Sequence, residues 1–218
     1  MMPSKILFFL LFLLASVSAY AANPQVEFQT SDGSFVVELY PDKAPQTVAN
    51  FLQYVNSGFY PGTVFHRTID RFMIQGGGFT ADLKEKLTLP PVVNESNNGL
   101  KNEPGTLAMS RAFDPNSGTS QFFINLNDNK FLNYYRPDPH YIGYCVFGKV
   151  IRGMDVVERI GHTPTHTAGS YTDVPVQPIV IEKVGVLATP IDTAGESKPT
   201  KAESDSSTKP TAKGKKRG

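Results

Sequence analysis

Hydrophobic and polar residues alternate over short stretches of the central chain, which is the pattern of half-buried β-strands. Residues 26–28 and 34–39 flank the turn sequence Ser31-Asp32-Gly33, so they predict a β-hairpin. Many short strands with few helices favour an antiparallel barrel or sandwich. Further β-prone stretches follow, separated by turn-rich linkers, at residues 63–69, 72–75, 106–110, 121–125, 144–150 and 179–186.

Two segments instead have the 3.6-residue periodicity of a helix. Between Val48 and Val55 the apolar residues fall at i, i+3, i+4 and i+7. Pro45 lies in the first turn of this predicted helix, Asp42 or a neighbour is its expected N-cap, and Gly58 is expected to end it. A shorter helix is predicted at residues 154–160. Both apolar stripes would be buried if the helices cover the open ends of a barrel.

The N-terminal stretch has the three parts of a secretory signal peptide. Lys5 precedes an apolar run over residues 6–14, and Ala19-Tyr20-Ala21 forms a small-residue cleavage site. The alternative is a membrane anchor, but a spanning helix needs about 20 apolar residues, and polar serines interrupt this run too early. We therefore expect residues 1–21 to be a cleaved signal peptide and the protein to have no stable membrane anchor.

The C-terminal stretch is rich in Lys, Ser, Thr, Pro and Gly and has almost no large apolar residues. Such a sequence cannot bury enough surface to offset the entropy of ordering, so residues 188–218 are predicted to form a disordered basic tail. Residues 22–187 are the predicted folded domain. Its linkers at residues 80–104 and 161–178 are long, and long loops on a rigid scaffold often carry function.

Composition narrows the possible functions. With 40% hydrophobic and 19% charged residues in a chain of 218, wholesale disorder is excluded, and the 15 Phe without Trp predict a Phe-rich core. A net charge of +1 argues against a dedicated nucleic-acid binder. Cys145 is the single cysteine, which excludes an intrachain disulfide and a multi-cysteine zinc site, and it is expected to be a small core residue. No motif for a metal, a phosphate or a dinucleotide cofactor is present, and Gly76-Gly77-Gly78 is interpreted as a bend or a close backbone approach.

One predicted strand carries an arginine among apolar residues. Alternation places Arg67 on the same face as Phe65 and Ile69, with His66 on the opposite face. A buried arginine needs a partner or a purpose, so Arg67 is a candidate functional residue.

The following strand extends this candidate site. Met73 and Gln75 share a face, and an apolar cup that holds a few polar groups is typical of a small-ligand or peptide site. The alternative is that the Phe and Met residues of this region are ordinary core.

Three strings in this order, FHR-x-I-x-x-FM-x-QGG, G-x-SQFFI and VFGKV, resemble the cyclophilin family of peptidyl-prolyl cis/trans isomerases. The resemblance extends from about Val26 to Val186. It implies a mainly β fold, a closed eight-stranded antiparallel β-barrel capped by two α-helices. The chain is most similar to exported bacterial members.

The resemblance also implies site residues. Arg67 corresponds to the catalytic arginine and Gln75 to a substrate-binding glutamine, while Gln121 lines the groove. The backbone edge of Ser110, Arg111 and Ala112 would pair with the bound peptide, in a loop one residue longer than in typical eukaryotic members. The proline pocket would consist of Phe72, Met73, Phe123 and Leu132.

Two positions depart from the family pattern. Phe131 stands at the usual tryptophan position, and Tyr144 replaces a histidine common at the pocket rim. The ring N–H of that tryptophan helps to hold the cyclic peptide cyclosporin, and phenylalanine has no such donor. The resemblance therefore predicts weak cyclosporin binding with isomerase activity kept.

The expected activity is rotation of X–Pro bonds in proline-containing polypeptide clients during the folding of exported proteins. Twisting the amide leaves a lone pair on the prolyl nitrogen, and a cation such as Arg67 would bind the twisted state best. A guanidinium that faces away from the cavity, or that is locked onto a carboxylate of its own domain, would contradict this account. No proton moves in this reaction, so His66 is expected to be structural.

The alternative function is a non-catalytic chaperone module that binds proline segments. In either case we expect no cofactor, no metal and no nucleic-acid partner. The protein is expected to be a monomer in the periplasm, with secretion or the endoplasmic reticulum lumen as alternative locations.

Overall fold

Eight antiparallel strands close into a barrel in the computed structural model, which describes residues 22–191. Around the barrel the strand order is β1-β10-β3-β4-β6-β5-β7-β2, and β8 and β9 form a separate two-stranded sheet. The elements are β1 Gln25–Thr30, β2 Gly33–Leu39, α1 Pro45–Asn56, β3 Thr63–Ile69, β4 Met73–Thr80, β5 Thr106–Met109, β6 Phe122–Asn125, a 3-10 turn Lys130–Leu132, β7 Val146–Arg152, α2 Met154–Gly161, β8 Thr165–Ala168, β9 Tyr171–Pro175 and β10 Ile179–Val186. The predicted closed barrel with two helices is confirmed.

Aromatic rings fill the barrel interior, as the composition predicts. Phe28 lies at the centre of this cluster, with its ring stacked on Phe35 at a centroid distance of 4.8 Å. Burying a Phe side chain stabilises the fold by about 1.5–3 kcal/mol, so the cluster is a major source of stability. The phenylalanines that are at most 1% exposed are Phe28, Phe35, Phe51, Phe65, Phe122 and Phe147.

The two helices bury the apolar stripes that the periodicity predicts, and α1 ends at Asn56 with Gly58 in the left-handed region beyond it. Of the expected N-cap positions, Asp42 or a neighbour, the structure has the neighbour Ala44, which makes no side-chain bond. The carboxylate of Glu95, from the linker before β5, instead accepts hydrogen bonds from the backbone N–H groups of Gln46 and Thr47, at 3.1 and 2.8 Å. An anion at this position also interacts favourably with the helix dipole. No helix between residues 22 and 191 is long and apolar enough to cross a membrane.

Close approach between strands explains the three consecutive glycines of β4. A Cβ atom added to Gly76, Gly77 or Gly78 would lie 2.9, 2.7 or 2.4 Å from Phe65, Phe122 or Gln121. Such separations are far inside van der Waals contact, so side chains at these positions would push the neighbouring strands and rings apart. Of the two interpretations, a bend or a close backbone approach, the second holds for Gly76, whose added Cβ would also lie 3.0 Å from the Val64 carbonyl oxygen; at Gly77 and Gly78 the nearest atoms belong to side chains.

The segment over residues 161–178, which the sequence pattern predicts to be a long linker, contains regular secondary structure. It forms the β8–β9 hairpin, which packs beside β3. Val174 is buried, and the ring of Tyr171 contacts that of Phe79 edge to face at 5.4 Å. The hairpin therefore covers the outside of β3 at the point where Arg67 lies.

The first and last barrel strands are neighbours. Val26 of β1 is paired with Val186 of β10, and the N–H of Leu187 donates to the carbonyl of Gln25 at 2.8 Å. The Gln25 side chain then binds both backbone groups of Ile191. The predicted signal peptide at residues 1–21 and all of the predicted tail beyond Ile191 lie outside the described residues.

Candidate active site

A row of paired residues crosses five strands on the outside of the barrel. Arg67 on β3 pairs with Gln75 on β4, and Gln75 pairs with Phe123 on β6. Phe123 in turn pairs with Ala108 on β5, and Ala108 with Val146 on β7. Directly paired residues project from the same face of an antiparallel sheet, so the five side chains share one surface. The row supplies an apolar floor with a polar end formed by Arg67 and Gln75.

The face predicted for Arg67 is only partly correct. Phe65 lies in the barrel core, whereas Arg67 and Ile69 lie on the outside, where Ile69 packs against the floor residues. The reason is a β-bulge between Phe65 and Arg67, whose partners on β4 are consecutive residues. A bulge inserts one extra residue and shifts the alternation, which simple period-two counting does not anticipate.

Three residues of this row, Arg67, Gln75 and Phe123, line a cavity of about 240 Å³, whereas Ala108 and Val146 are buried and do not line it. This volume is slightly below that of sites for drug-sized ligands, so it suits one side chain with its backbone. The sequence predicted every residue that lines it: Arg67, Phe72, Met73, Gln75, Ser110, Arg111, Phe123, Leu132 and Tyr144.

Gln75 is fixed by two hydrogen bonds. Its Nε2 donates to Ser110 Oγ at 3.0 Å and to Gln121 Oε1 at 3.1 Å. Both amide hydrogens are thereby used, and within residues 22–191 the Oε1 atom accepts no hydrogen bond from protein. The Oε1 atom of Gln75 is thus arranged to accept a hydrogen bond from a peptide N–H. Gln121 acts on the site through Gln75 and does not itself line the cavity.

Arg67 is half exposed and has a carboxylate partner that the sequence did not reveal. Its Nε donates to Asp173 Oδ2 of the β8–β9 hairpin at 3.4 Å, and the two side chains are 41% and 37% exposed. An ion pair this open to solvent is worth at most about 1 kcal/mol, so it does not lock the guanidinium. The expectation that Arg67 is buried is wrong, but its side chain lines the cavity and is not locked onto the carboxylate of Asp173. No period or motif in the sequence linked Asp173 to Arg67, because the hairpin lay in a stretch interpreted as linker.

The segment from Ser110 to Ala112 contributes mainly side chains to the cavity, because two of its backbone N–H groups are bonded within the chain. The Ser110 N–H donates to the carbonyl of Gln121 at 3.0 Å, and the Ala112 N–H donates to Ser117 Oγ at 2.8 Å. Two of the three backbone donors that the resemblance assigned to the peptide are therefore engaged within the chain. Ala112 does not line the cavity.

Arg111 and Tyr144 build one wall of the cavity together. The Arg111 guanidinium lies over the Tyr144 ring at 4.7 Å, and its Nε donates to the Gly143 carbonyl at 3.0 Å. Tyr144 meets the ring of Phe123 edge to face at 5.5 Å. Tyr144, which departs from the family pattern, thus contacts both the ring of Phe123 and the cationic side chain of Arg111.

Phe131 lies outside the cavity lining but next to it. Its ring stacks on that of Phe72 at 5.6 Å, and the residue is 75% exposed. It is therefore a rim residue, available to a ligand that extends beyond the cavity.

His66 does not line the cavity. It is 6% exposed, its ring lies 4.6 Å from that of Phe79, and its Nδ1 has no hydrogen-bond partner within the described region. Burial, together with the charge of Arg67, lowers the pKa of His66 to about 4. The imidazole is neutral at physiological pH and lies outside the candidate chemistry.

The closed antiparallel barrel presents an arginine and a glutamine on its outer surface beside an apolar cavity, which defines a class of protein with a small-ligand or peptide site. The family model described as cyclophilin-type peptidyl-prolyl cis-trans isomerase/CLD matches residues 25–186. The chain belongs to the cyclophilin family and is a peptidyl-prolyl cis-trans isomerase.

Relatives of similar length support this assignment. A peptidyl-prolyl cis-trans isomerase of Acinetobacter baylyi is 54% identical over 171 residues, which cover 78% of this chain and 89% of the relative. Peptidyl-prolyl cis-trans isomerase B of Escherichia coli is 52% identical over 161 residues, which cover 74% and 98% of the two chains. Peptidyl-prolyl cis-trans isomerase A of Dickeya dadantii is 49% identical over 177 residues, which cover 80% and 92%.

The fold has solved counterparts. The crystal structure of a cyclophilin-type isomerase from Cryptosporidium parvum matches with a TM-score of 0.62 at 27% identity, covering 77% of this chain and 99% of that one. Membership of a family of isomerases favours the enzyme over the non-catalytic binding module.

Proposed function

We propose that this isomerase accelerates X–Pro rotation by stabilising the twisted amide with Arg67 while the proline ring occupies the apolar part of the cavity. The observation that carries the proposal is the pairing of Arg67 with Gln75 at the polar end of the floor. This arrangement puts hydrogen-bond donors and an acceptor beside a recess of apolar side chains.

The barrier arises from amide resonance and amounts to roughly 18–20 kcal/mol. Rotation breaks the conjugation and leaves a lone pair on the prolyl nitrogen. A guanidinium N–H can bond to that lone pair, whereas the nitrogen of the planar amide is a poor acceptor. An interaction made only in the transition state raises the rate without tightening substrate binding.

The required acceleration is modest. Uncatalysed rotation takes tens to hundreds of seconds, and millisecond turnover needs about 10⁴-fold acceleration, or about 5–6 kcal/mol. A charge-assisted hydrogen bond formed in a partly desolvated site, together with orientation of the ring, is of this order.

The other residues of the cavity have binding roles in this proposal. Gln75 would accept from a client N–H, and Arg111 with Tyr144 would bound the groove on the opposite side. The residues that would contact the proline ring are Phe72, Met73, Phe123 and Leu132.

The proposed clients are proline-containing segments of exported proteins, and the proposed location is the periplasm. Support comes from the three-part pattern of residues 1–21 and from the bacterial A and B isomerases among the relatives. We further propose weak cyclosporin binding, because Phe131 at the rim has no N–H to donate.

The test is a peptide isomerisation assay on Arg67→Ala and Arg67→Lys, with peptide affinity measured separately by titration. We expect kcat to fall by at least tenfold in the alanine variant while affinity changes little. Lysine should restore part of the rate, since it keeps the charge but not the planar donors.

Arg152→Ala is the matched control, because Arg152 is 47% exposed and is loosely paired with Glu27 at 4.0 Å, outside the cavity. Wild-type turnover in Arg67→Ala would refute the proposed mechanism.

A further inference from the structure

A carboxylate outside the cavity contacts the proposed catalytic arginine. Asp173 lies on β9 and accepts from Arg67 Nε at 3.4 Å through Oδ2. The same oxygen accepts from the hydroxyl of Thr172 at 3.1 Å. The carboxylate is thus held from its own strand as well as from the arginine.

Asp173 has a backbone conformation that is uncommon for a residue other than glycine. Asp173 has a φ of +59°, in the left-handed region that most side chains avoid. Aspartate and asparagine are the non-glycine residues that tolerate it best. Such backbone strain persists only where the surrounding structure holds the residue in place. Here the neighbouring strands hold the hairpin.

Those neighbours are on β3 and β4. The next residue, Val174, is buried, and the ring of Tyr171 packs against Phe79, which also contacts His66. His66 precedes Arg67 in β3, so the hairpin is docked on the strand that carries the arginine. The position of Asp173 relative to Arg67 is therefore set by packing, not by the ion pair alone.

The contact uses one particular part of the guanidinium. Nε is the donor bound to Asp173, and within residues 22–191 neither Nη nitrogen donates to a protein acceptor. A guanidinium is planar, so a hydrogen bond at Nε favours one orientation of the four remaining N–H donors. The carboxylate also offsets part of the positive charge, which would weaken the effect of Arg67. Because both groups are about 40% exposed and screened, we expect orientation to outweigh this loss.

We propose that Asp173 is a positioning residue, which favours one orientation of the Arg67 side chain through Nε and leaves its Nη donors for the twisted amide. The proposal rests on the proposed catalytic role of Arg67. It also gives the β8–β9 hairpin a role in the reaction, since the hairpin supplies the residue that orients the cation.

The experiment compares Asp173→Gly and Asp173→Asn in the isomerisation assay with a neutral peptide substrate. Both substitutions suit the left-handed backbone, so neither adds the strain that alanine would bring. Asp155→Asn is the control, because it removes a carboxylate from an exposed pair with Arg159 on α2, away from the cavity.

The glycine variant should lose about two- to fivefold in kcat with KM unchanged, because an exposed pair contributes at most about 1 kcal/mol at 1.36 kcal/mol per decade. Asparagine keeps an acceptor for Nε and should recover part of the loss. Raising salt from about 0.01 M to about 1 M shortens the Debye length from about 30 Å to 3 Å. It should therefore slow the wild type more than Asp173→Gly.

A double-mutant cycle separates this proposal from the one on which it rests. If Asp173 acts through Arg67, Asp173→Gly has no further effect on kcat in the Arg67→Ala background. An equal fold loss in both backgrounds, or an unchanged or increased kcat in Asp173→Gly, would overturn the positioning role. Wild-type turnover in Arg67→Ala alone would instead refute the catalytic role of the arginine.

Discussion

Arg67 and Gln75 are direct cross-strand partners at the polar end of the cavity. They adjoin because the β-bulge in β3 moves Arg67 to the outer face, which Gln75 already occupies on β4. An unbulged strand would have left the arginine facing the aromatic core. A local irregularity of the backbone thus brings together the two polar groups on which the proposed chemistry depends.

Gln75→Ala should weaken peptide binding. A neutral hydrogen bond contributes about 0.5–1.5 kcal/mol, so we expect kcat/KM to fall about 2- to 13-fold, mainly through a higher KM. The loss should exceed that from removing one hydrogen bond to the peptide, because Ser110 and Gln121 also lose the Gln75 amide that joins them. Steady-state isomerisation kinetics measure the effect. Gln29→Ala on β1 is the control, and a lower kcat with unchanged KM would contradict a binding role.

Phe131→Trp should tighten cyclosporin binding. The exposed ring at the rim would gain an indole N–H, and one such donor is worth about 2- to 13-fold in affinity. Titration of intrinsic fluorescence follows binding directly, since the wild-type chain has no tryptophan. Tyr135→Trp, at another exposed position, controls for the added ring. Equal affinity in both variants would show that the donor at position 131 does not matter.

Stability should fall on acidification because of His66. Its pKa is about 4 in the folded state against 6.5 for the ordinary group, so the unfolded chain binds the proton more readily. The stabilising contribution of neutral His66 is complete above pH 6.5 and is lost as the pH falls towards 4, by an amount on the order of 3 kcal/mol.

Urea unfolding of wild type and His66→Asn at pH 7 and pH 4 checks this. The variant should be less stable at pH 7 yet lose less on acidification, whereas His166→Asn, at an exposed histidine on β8, should behave as the wild type does. An identical pH dependence in wild type and His66→Asn would rule out the buried imidazole as the cause.

Glu95→Ala should destabilise the fold by about 1–2 kcal/mol, because it removes the cap of α1. The carboxylate binds the backbone N–H groups of Gln46 and Thr47 and also the Thr47 hydroxyl, at 2.7 Å. Glutamine keeps one acceptor and should cost about half as much. Thermal unfolding measures the loss, with Glu103→Ala in the same linker as the control. A loss no larger than that of the control would mean that the cap does not contribute.

The elements with strong local periodicity could be predicted from the sequence. The stripe of α1 and the hairpin β1–β2 depend on near neighbours in the chain, and their pattern survives folding. Most of the cavity residues followed from the resemblance to the cyclophilin family, whose motifs show which positions correspond. The motifs did not predict the face of the sheet from which each side chain projects.

The missed features at the site and at the helix cap depend on contacts that the local sequence pattern does not encode. Asp173 meets Arg67 across 106 positions, and Glu95 caps a helix that starts 50 residues earlier. The bulge in β3 depends on register with β4, which alternation within one strand does not encode. Such contacts arise from tertiary packing, so the local sequence pattern does not predict them.

Because Val26 pairs with Val186, the first and last strands of the barrel lie side by side and close it. A short peptide could join the outer ends of these two strands, and the chain could then be opened within an exposed loop elsewhere. Such a circular permutant would retain all eight barrel strands and their neighbours, because only the order of connection along the chain would change.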